Sequence, residues 1–194
     1  MINQKPAATK KPVGWSTVKQ HLADWSQPAL LDLVKDLYEV SPANRAFINA
    51  RCQPEGDDGE TLEAYRNKIV EQFYPKRGEG KLKMGEARKA IREYRKATGN
   101  VAGVAELLMT YVENGVRFTC EYGDIDERFY NSVESVLNEF ADLLREKSRE
   151  LYPEFRERLA NVEKLTDGIG WGFHDAVADT VGELENKLGR VHND

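Results

Sequence analysis

The apolar residues of this chain recur at the spacing of an α-helix, and two long stripes of them meet near the middle. Residues 101–119 carry apolar side chains every three or four positions, which is typical of one buried helix face. Residues 129–144 carry a second stripe with the same period. Gly123 lies between the two, and glycine commonly ends a helix because it takes positive φ without strain. We therefore predict a helical hairpin whose corner is formed by residues 111–132.

Local signals refine the prediction of this hairpin. Asp124 begins a capping-box pattern, with an acidic residue three positions later, so it is predicted to be the N-cap of the second helix. Gly115 falls inside the first helix, where glycine costs about 1 kcal/mol relative to alanine, and this indicates either close approach by another helix or a local kink. Glu113 precedes Arg117 by four residues, the favourable order for an exposed ion pair, and Arg117 also reaches Glu121.

The rest of the chain has helix signals as well. Ser16, Ser26 and Ser41 each precede a segment of helical period, as N-cap residues do. Gly99 and Gly189 follow such segments and are predicted to end them. The second helix is predicted to have a broad apolar face, made of Leu30, Leu31, Leu33, Val34, Leu37 and Tyr38.

No segment shows the strict alternation of apolar and polar residues that is typical of a half-buried strand. We predict an all-α fold, in which a single domain of about eight or nine helices packs as layered helical hairpins. This domain is predicted to cover residues 14–190. Residues 1–13 are polar and aperiodic, and are predicted to form a flexible N-terminal arm.

The composition fits a globular protein of 194 residues with one hydrophobic core, since 40% of the residues are hydrophobic and 31% are charged. No apolar run approaches the ~20 residues that cross a bilayer, and the N-terminal residues lack the apolar segment of a signal peptide. Cys52 and Cys120 have neither metal-binding spacing nor the pattern of a disulfide framework. We therefore expect a cytoplasmic protein with two reduced thiols and no membrane contact.

Charge is distributed unevenly along the chain, whose net charge is −5. Residues 64–98 contain 11 basic and 4 acidic side chains, for a net charge of +7, whereas residues 99–194 carry a net charge of −10. Opposite charges on two parts of one chain favour association, because the basic segment of one copy can meet the acidic half of another. The sequence thus predicts a protein partner or self-association.

Four stretches of the chain carry a family resemblance. They read DLVKDLYEVSPANRAF, FYPKRGEGKLKMGEARKAI, YVENGVRFTCEYGDIDERFYNSVESV and GIGWGFHDAVAD. Together they resemble an uncharacterised family of small all-helical bacterial proteins, catalogued as a domain of unknown function, over about residues 15–180. The resemblance implies a bacterial or phage origin and a cytoplasmic setting. It implies no activity, cofactor or catalytic residue.

The hairpin corner also concentrates polar and acidic side chains. We predict that these either form a buried hydrogen-bond network or line a pocket for a small polar ligand or a partner's peptide. An alternative hypothesis is metal-dependent phosphoester hydrolysis by His174, Asp175 and the acidic residues of 121–127, which requires these groups to converge in space. The predicted corner set, drawn from the hairpin and from the glycine-rich turn 166–175, consists of Glu113, Asn114, Thr119, Tyr122, Asp124, Asp126, Tyr130, Ser132, Trp171, His174 and Asp175.

A basic segment at residues 76–96 supports a further hypothesis. Arg88, Arg92 and Arg95 share one face of the predicted fifth helix, and such a stripe can neutralise several phosphates. Nucleic-acid binding is therefore an alternative function, unless these cations pair with the protein's own acidic half. The full predicted surface comprises Lys76, Arg77, Lys81, Lys83, Arg88, Lys89, Arg92, Arg95 and Lys96.

No complete catalytic set is evident in the sequence. No serine or cysteine lies in a nucleophile motif, and Gly168, Gly170 and Gly172 do not follow the dinucleotide-binding pattern. We therefore predict no catalytic residue, no metal and no cofactor. The predicted function is that of a non-enzymatic helical binding protein that acts mainly through protein–protein contacts.

Overall fold

The computed structural model describes residues 14–52, 59–78 and 80–189. These residues form nine α-helices and one short 3₁₀ turn, with no strand among them, so the all-α prediction is confirmed. The chain divides into two compact units, the first ending at Ala46 and the second beginning at Phe47. The predicted arm at residues 1–13 lies outside the described residues.

The helices are bounded closely by the signals that predicted them. Ser26 caps the second helix, and Gly99 and Gly123 follow the fifth and sixth. Ser16 lies inside the first helix, whose N-cap is Gly14. The elements are α1 (Trp15–Ala23), α2 (Gln27–Val40), α3 (Pro42–Cys52), α4 (Glu60–Phe73), α5 (Met84–Thr98), α6 (Val101–Tyr122), α7 (Glu127–Lys147), the 3₁₀ turn (Arg149–Leu151), α8 (Tyr152–Leu165) and α9 (Phe173–Leu188).

The first unit has little interior. Helices α1 and α2, which the structure describes over their full length, contain no buried residue. The predicted apolar face of α2 exists, but Leu31, Val34 and Leu37 on it are exposed. Leu30, Leu33 and Tyr38 of the same face are half-buried, so the face is only partly covered.

The second unit holds the hydrophobic core, and α6 lies at its centre. Thirteen residues of α6 are buried, and the helix packs against α4, α5, α7 and α8. Three pairs of consecutive helices, α4 with α5, α6 with α7, and α8 with α9, pack against each other as hairpins. The predicted layering of helical hairpins is thus confirmed in this unit.

At Gly115, α7 packs closely against α6. A Cβ atom built at this position would lie 2.7 Å from Cγ2 of Val133, which is closer than real side chains come. The absence of a side chain lets the α7 valine fill the space, so the predicted close approach at Gly115 is confirmed.

Candidate functional site: the helical corner

The corner between α6 and α7 differs from the prediction in its capping residue. Gly123 ends α6 with a φ of +86°, and its N–H donates to the carbonyl of Thr119 at 2.9 Å. The N-cap of α7 is Asp126, whose Oδ1 accepts from the N–H of Phe129 at 2.8 Å. The prediction that Asp124 caps α7 is therefore wrong. Asp126 has the extended backbone that an N-cap requires, and the carboxylate of Asp124 is held by other groups.

Tyr130 is the centre of a hydrogen-bond network at this corner. Its hydroxyl donates to Oδ1 of Asp124 at 2.6 Å, lies 2.7 Å from Oγ1 of Thr119, and accepts from the N–H of Ile125 at 3.3 Å. Burial, and then the bond to Asp124, raise the pKa of the Tyr130 phenol. The network joins the end of α6, the connection and the first turn of α7, and so fixes the angle of the hairpin.

The glycine-rich turn between α8 and α9 reaches the same corner through Trp171. Its Nε1–H donates to Oδ2 of Asp124 at 2.9 Å, so the two carboxylate oxygens of Asp124 accept from two different elements. Trp171 has a φ of +64°, in the left-handed region that non-glycine residues rarely adopt. The structure thus brings together Thr119, Asp124, Tyr130 and Trp171 from the predicted set.

Exposed apolar side chains surround this junction. Tyr122 is 64% exposed and stacks on Phe118 with ring centroids 4.5 Å apart, while Trp171 is 61% exposed. Leu165 is also exposed, and its carbonyl accepts from the thiol of Cys120 at 3.3 Å. We call Tyr122, Leu165 and Trp171 the aromatic patch.

Other members of the predicted corner set bond elsewhere. The side-chain amide of Asn114 donates to the carbonyl of Thr110 one turn earlier, at 2.7 Å. Nδ1 of His174 lies 3.0 Å from Oγ1 of Thr166, and Asp175 is exposed in the first turn of α9. Ser132 bonds the hydroxyl of Tyr111 at 2.7 Å, inside the hairpin.

Glu113 belongs to an ionic cluster that joins three helices. Arg158 of α8 grips the Glu113 carboxylate of α6 with two nitrogens, at 2.8 and 2.7 Å, and its third nitrogen donates to Glu106 at 2.6 Å. Glu106 also accepts from Arg66 of α4 at 2.8 Å. The hydrogen bonds that Arg158 donates, chiefly those to Glu113, raise the pKa of its guanidinium. The predicted pair of Glu113 with Arg117 is not formed, because Arg117 bonds Glu121 at 2.7 Å.

No sequence signal predicted this cluster, since Glu113 and Arg158 are 45 positions apart. The spacing of Glu113 and Arg117 on α6 predicted an ion pair within that helix. The cation that Glu113 contacts is Arg158, on α8. Only the packing of α8 on α6 decides which of the available cations Glu113 meets.

The described residues include no group of three or more histidine, cysteine, aspartate or glutamate side chains placed to hold a metal ion. Three of the four acidic residues of 121–127 have another role. Asp124 accepts from Tyr130 and Trp171, Asp126 caps α7, and Glu121 pairs with Arg117, which lowers its pKa. The convergence that the hydrolase hypothesis requires is therefore not seen in the part of the chain that the structure describes.

The predicted basic surface divides into two parts. On α5, Arg95 pairs with Glu139 of α7 at 2.6 Å, and Arg88 reaches the same carboxylate at 3.7 Å. Lys89 lies within 4.0 Å of Glu86 and Glu93 on its own helix. This part of the stripe faces the protein's own acidic residues.

The other basic residues show no ion pair among the residues that the structure describes, and all of them are exposed. Four lie on the connection between α4 and α5, which we call the basic loop. The set consists of Lys76, Arg77, Lys81 and Lys83 on the basic loop and of Arg92 and Lys96 on α5.

A small cavity of about 290 Å³ opens beside the start of α7, next to the basic loop. Its walls are mostly apolar and come from Leu82, Met84, Ile125 and Phe129, with the polar side chains of Asp126, Arg128 and Ser132 at its edge. Of the predicted corner set, only Asp126 and Ser132 line this cavity.

No protein-family model matches this chain, and neither a curated protein nor a solved structure does. The resemblance to a family of small all-helical bacterial proteins therefore stays a prediction. Among the described helices, none has both the length and the apolar character needed to span a membrane.

Proposed function

We propose that this protein is a non-enzymatic interaction protein that binds other protein chains, and that one of its partners is a second copy of itself. One observation supports this proposal above the others. Helices α1 and α2 bury no residue, and these helices and the turn that joins them present large apolar side chains to water. These side chains are Trp15, Trp25, Leu31, Val34, Leu37 and Val40.

An apolar surface of this extent favours contact with protein. Single exposed hydrophobic residues are normal, but contiguous exposed patches are typical of interaction sites. Leu31, Val34 and Leu37 are spaced three residues apart, so they lie on one side of α2. Asp32, Asp36 and the other acidic residue of α2 lie on the opposite side and remain in water when the apolar side is covered.

The order of the apolar residues favours a second copy as the partner. The stripe of Leu31, Val34 and Leu37 is symmetric about Val34. In an antiparallel pair of α2 helices, Leu31 of each copy meets Leu37 of the other, and the two Val34 side chains meet on the axis. Such a contact uses the same patch twice, as two-fold symmetric interfaces do.

Light scattering across a range of protein concentrations tests this proposal. We expect the native chain to form a dimer that persists at high salt, because apolar contacts are not screened by ions. Val34→Asp should give a monomer. Lys35→Asp introduces the same residue one position away, at the edge of the apolar side, and should still dimerise. A strict monomer at both low and high salt contradicts self-association.

Nucleic-acid binding is a second candidate, and the unpaired cations of the basic loop favour it. Lys76, Arg77, Lys81 and Lys83 are exposed and are not neutralised by a described acidic residue. Arg88 and Arg95 share Glu139, so they have less charge to offer a phosphate. The basic loop is therefore the part of the predicted surface with most positive charge free for a partner.

Gel retardation with single-stranded and duplex DNA and RNA at low salt tests this candidate. Reversing the four charges of the basic loop should abolish retardation, whereas reversing Arg88 and Arg95 should weaken it less. If the four basic-loop residues each contact a phosphate, the logarithm of the binding constant should fall linearly with the logarithm of the salt concentration. The slope should be about −0.7 to −0.9 per contact. A native chain that retards no nucleic acid at low salt contradicts this function.

A further inference from the structure

Trp171 is held in an unfavourable backbone conformation and yet keeps its ring in water. A φ of +64° strains a residue that carries a side chain, and Gly172 with a φ of +68° follows it in the same turn. Glycine at position 171 would adopt this turn without strain. The bond from Nε1 to Asp124 offsets part of the strain and orients the indole, which remains 61% exposed.

The indole is not alone on this surface. Tyr122, at the end of α6, is as exposed as Trp171, and its ring is oriented by stacking on the buried ring of Phe118. Leu165, at the end of α8, adjoins α6 through the bond between Cys120 and its carbonyl. Three elements near the corner thus each expose a large apolar side chain. Tryptophan and tyrosine in such positions are the residues that most often dominate protein–protein contacts.

The charges around the aromatic patch indicate the chemistry of its partner. Asp167 and Asp175 lie on either side of Trp171 in the chain, are exposed, and form no ion pair within the described ranges. Asp124 adds a third carboxylate against the indole nitrogen, at 2.9 Å. Aromatic ring faces attract cations, and neighbouring carboxylates strengthen that attraction.

We propose that the aromatic patch binds a basic segment of a partner protein, with a lysine or arginine side chain lying against the rings of Trp171 and Tyr122 and paired with Asp167 or Asp175. The partner is a cationic peptide and not a nucleic acid, since the carboxylates beside the rings repel phosphates. It goes beyond self-association through α2 and uses none of the same residues.

Nuclear magnetic resonance of the indole N–H groups provides a direct test. The chain contains three tryptophans, and Trp15 and Trp25 are internal controls in the same spectrum. The probe is the tetrapeptide acetyl-Lys-Arg-Lys-Arg-amide, and acetyl-Glu-Glu-Glu-Glu-amide is the control of opposite charge. We expect the Trp171 signal to shift and saturate with the basic peptide only, while the other two stay unchanged.

Two variants separate binding from folding. Trp171→Gly removes the ring at a position whose backbone suits glycine, so the protein should fold and calorimetry should show no binding of the basic peptide. Asp167→Asn with Asp175→Asn should weaken binding about tenfold, as expected for the loss of two exposed ion pairs. The matched control, Asp32→Asn with Asp36→Asn on α2, removes two charges elsewhere and should leave affinity unchanged.

The proposal is overturned if millimolar basic peptide leaves the Trp171 signal in place, or if the acidic peptide shifts it equally. Unchanged affinity in the Asp167→Asn, Asp175→Asn variant also overturns it, because the carboxylates would then have no part in binding. Val34→Asp should bind the basic peptide as the native chain does. A native chain that is monomeric but binds the peptide would end the self-association proposal and leave this one standing.

Discussion

Helices α2 and α6 have similar sequence patterns and opposite fates. Both carry apolar residues three and four positions apart, but α6 buries thirteen residues and α2 buries none. Helical periodicity therefore shows which side of a helix is apolar. Whether that side is covered depends on what the fold places against it.

The surroundings of the two helices explain the difference. Helix α6 has four neighbouring helices, and Gly115 allows α7 to approach it closely. In the described part of the first unit, residues 14–46, no residue is buried. The apolar face of α2 is therefore covered only in part.

One substitution in each helix should show the largest difference in the free energy of unfolding. Leu108→Ala in α6 removes a fully buried side chain and should reduce the free energy of unfolding by about 2–5 kcal/mol. Leu37→Ala in α2 should change it by about 0.5 kcal/mol or less, because that side chain is 45% exposed. Urea unfolding at low protein concentration measures both. Equal losses would show that α2 is buried in solution.

A smaller effect distinguishes two neighbouring aspartates of the corner. Asp124→Ala leaves the buried Tyr130 hydroxyl and the Trp171 indole without their acceptor, and should reduce stability by about 1–3 kcal/mol. Asp126→Ala removes a helix cap, which costs about 1 kcal/mol. Thermal unfolding of the two variants compares them.

Asparagine provides the control for these variants. Asp126→Asn should restore most of the lost stability, since one amide oxygen suffices for the cap. Asp124→Asn should restore only part, because its single carbonyl oxygen replaces two accepting carboxylate oxygens. A wild type whose melting temperature rises with magnesium or manganese, with no rescue by asparagine at Asp124, would instead support a metal site.

The smallest effect is a pH dependence that belongs to the second unit. Burial is the main cause of the raised pKa values of Tyr65, Tyr111 and Tyr130, whose ordinary value is 10.0. A raised pKa in the folded state means that folding favours the neutral phenol. The stability from these groups is therefore complete below pH 10 and is lost as the pH rises through the folded-state pKa values.

Ultraviolet absorbance of tyrosinate, followed together with circular dichroism, measures this effect. We expect ionisation of the buried phenols to lag behind pH 10 and to coincide with loss of helix. Tyr130→Phe should remove one delayed group from the titration. If all tyrosines ionised near pH 10 while the helical signal was retained, the core around α6 would be more open than the structure shows.

Charge pairing gives a second contrast between what was visible in the sequence and what was not. The pair of Arg117 with Glu121 was predicted and is formed, because four residues along one helix set its distance. The pairing of Arg95 with Glu139 spans 44 positions and joins two helices. The sequence predicted a basic stripe at this place, and only the packing of α5 near α7 shows that part of it is internally neutralised.

Local sequence signals predicted the helices, most of their ends and the hairpin at the corner. Helical periodicity can be read within a few turns of one helix. Ser26 at a helix start, and Gly99 and Gly123 at helix ends, affect only neighbouring residues, so a short stretch of sequence is enough to predict their effect. The capping residue of α7 was misplaced by two positions, because Asp124 and Asp126 offer the same chemistry. Only the position of the Tyr130 hydroxyl decides which carboxylate remains free to cap.

Which groups far apart in the chain become partners depends on the tertiary structure. The Asp124 carboxylate accepts a hydrogen bond from Trp171, which lies 47 positions later in the chain. Arg158 of α8 donates to Glu106 and Glu113 of α6. Contacts across such separations depend on how helices pack. Helix packing is set by the sum of many weak apolar contacts, and no short stretch of sequence contains that sum.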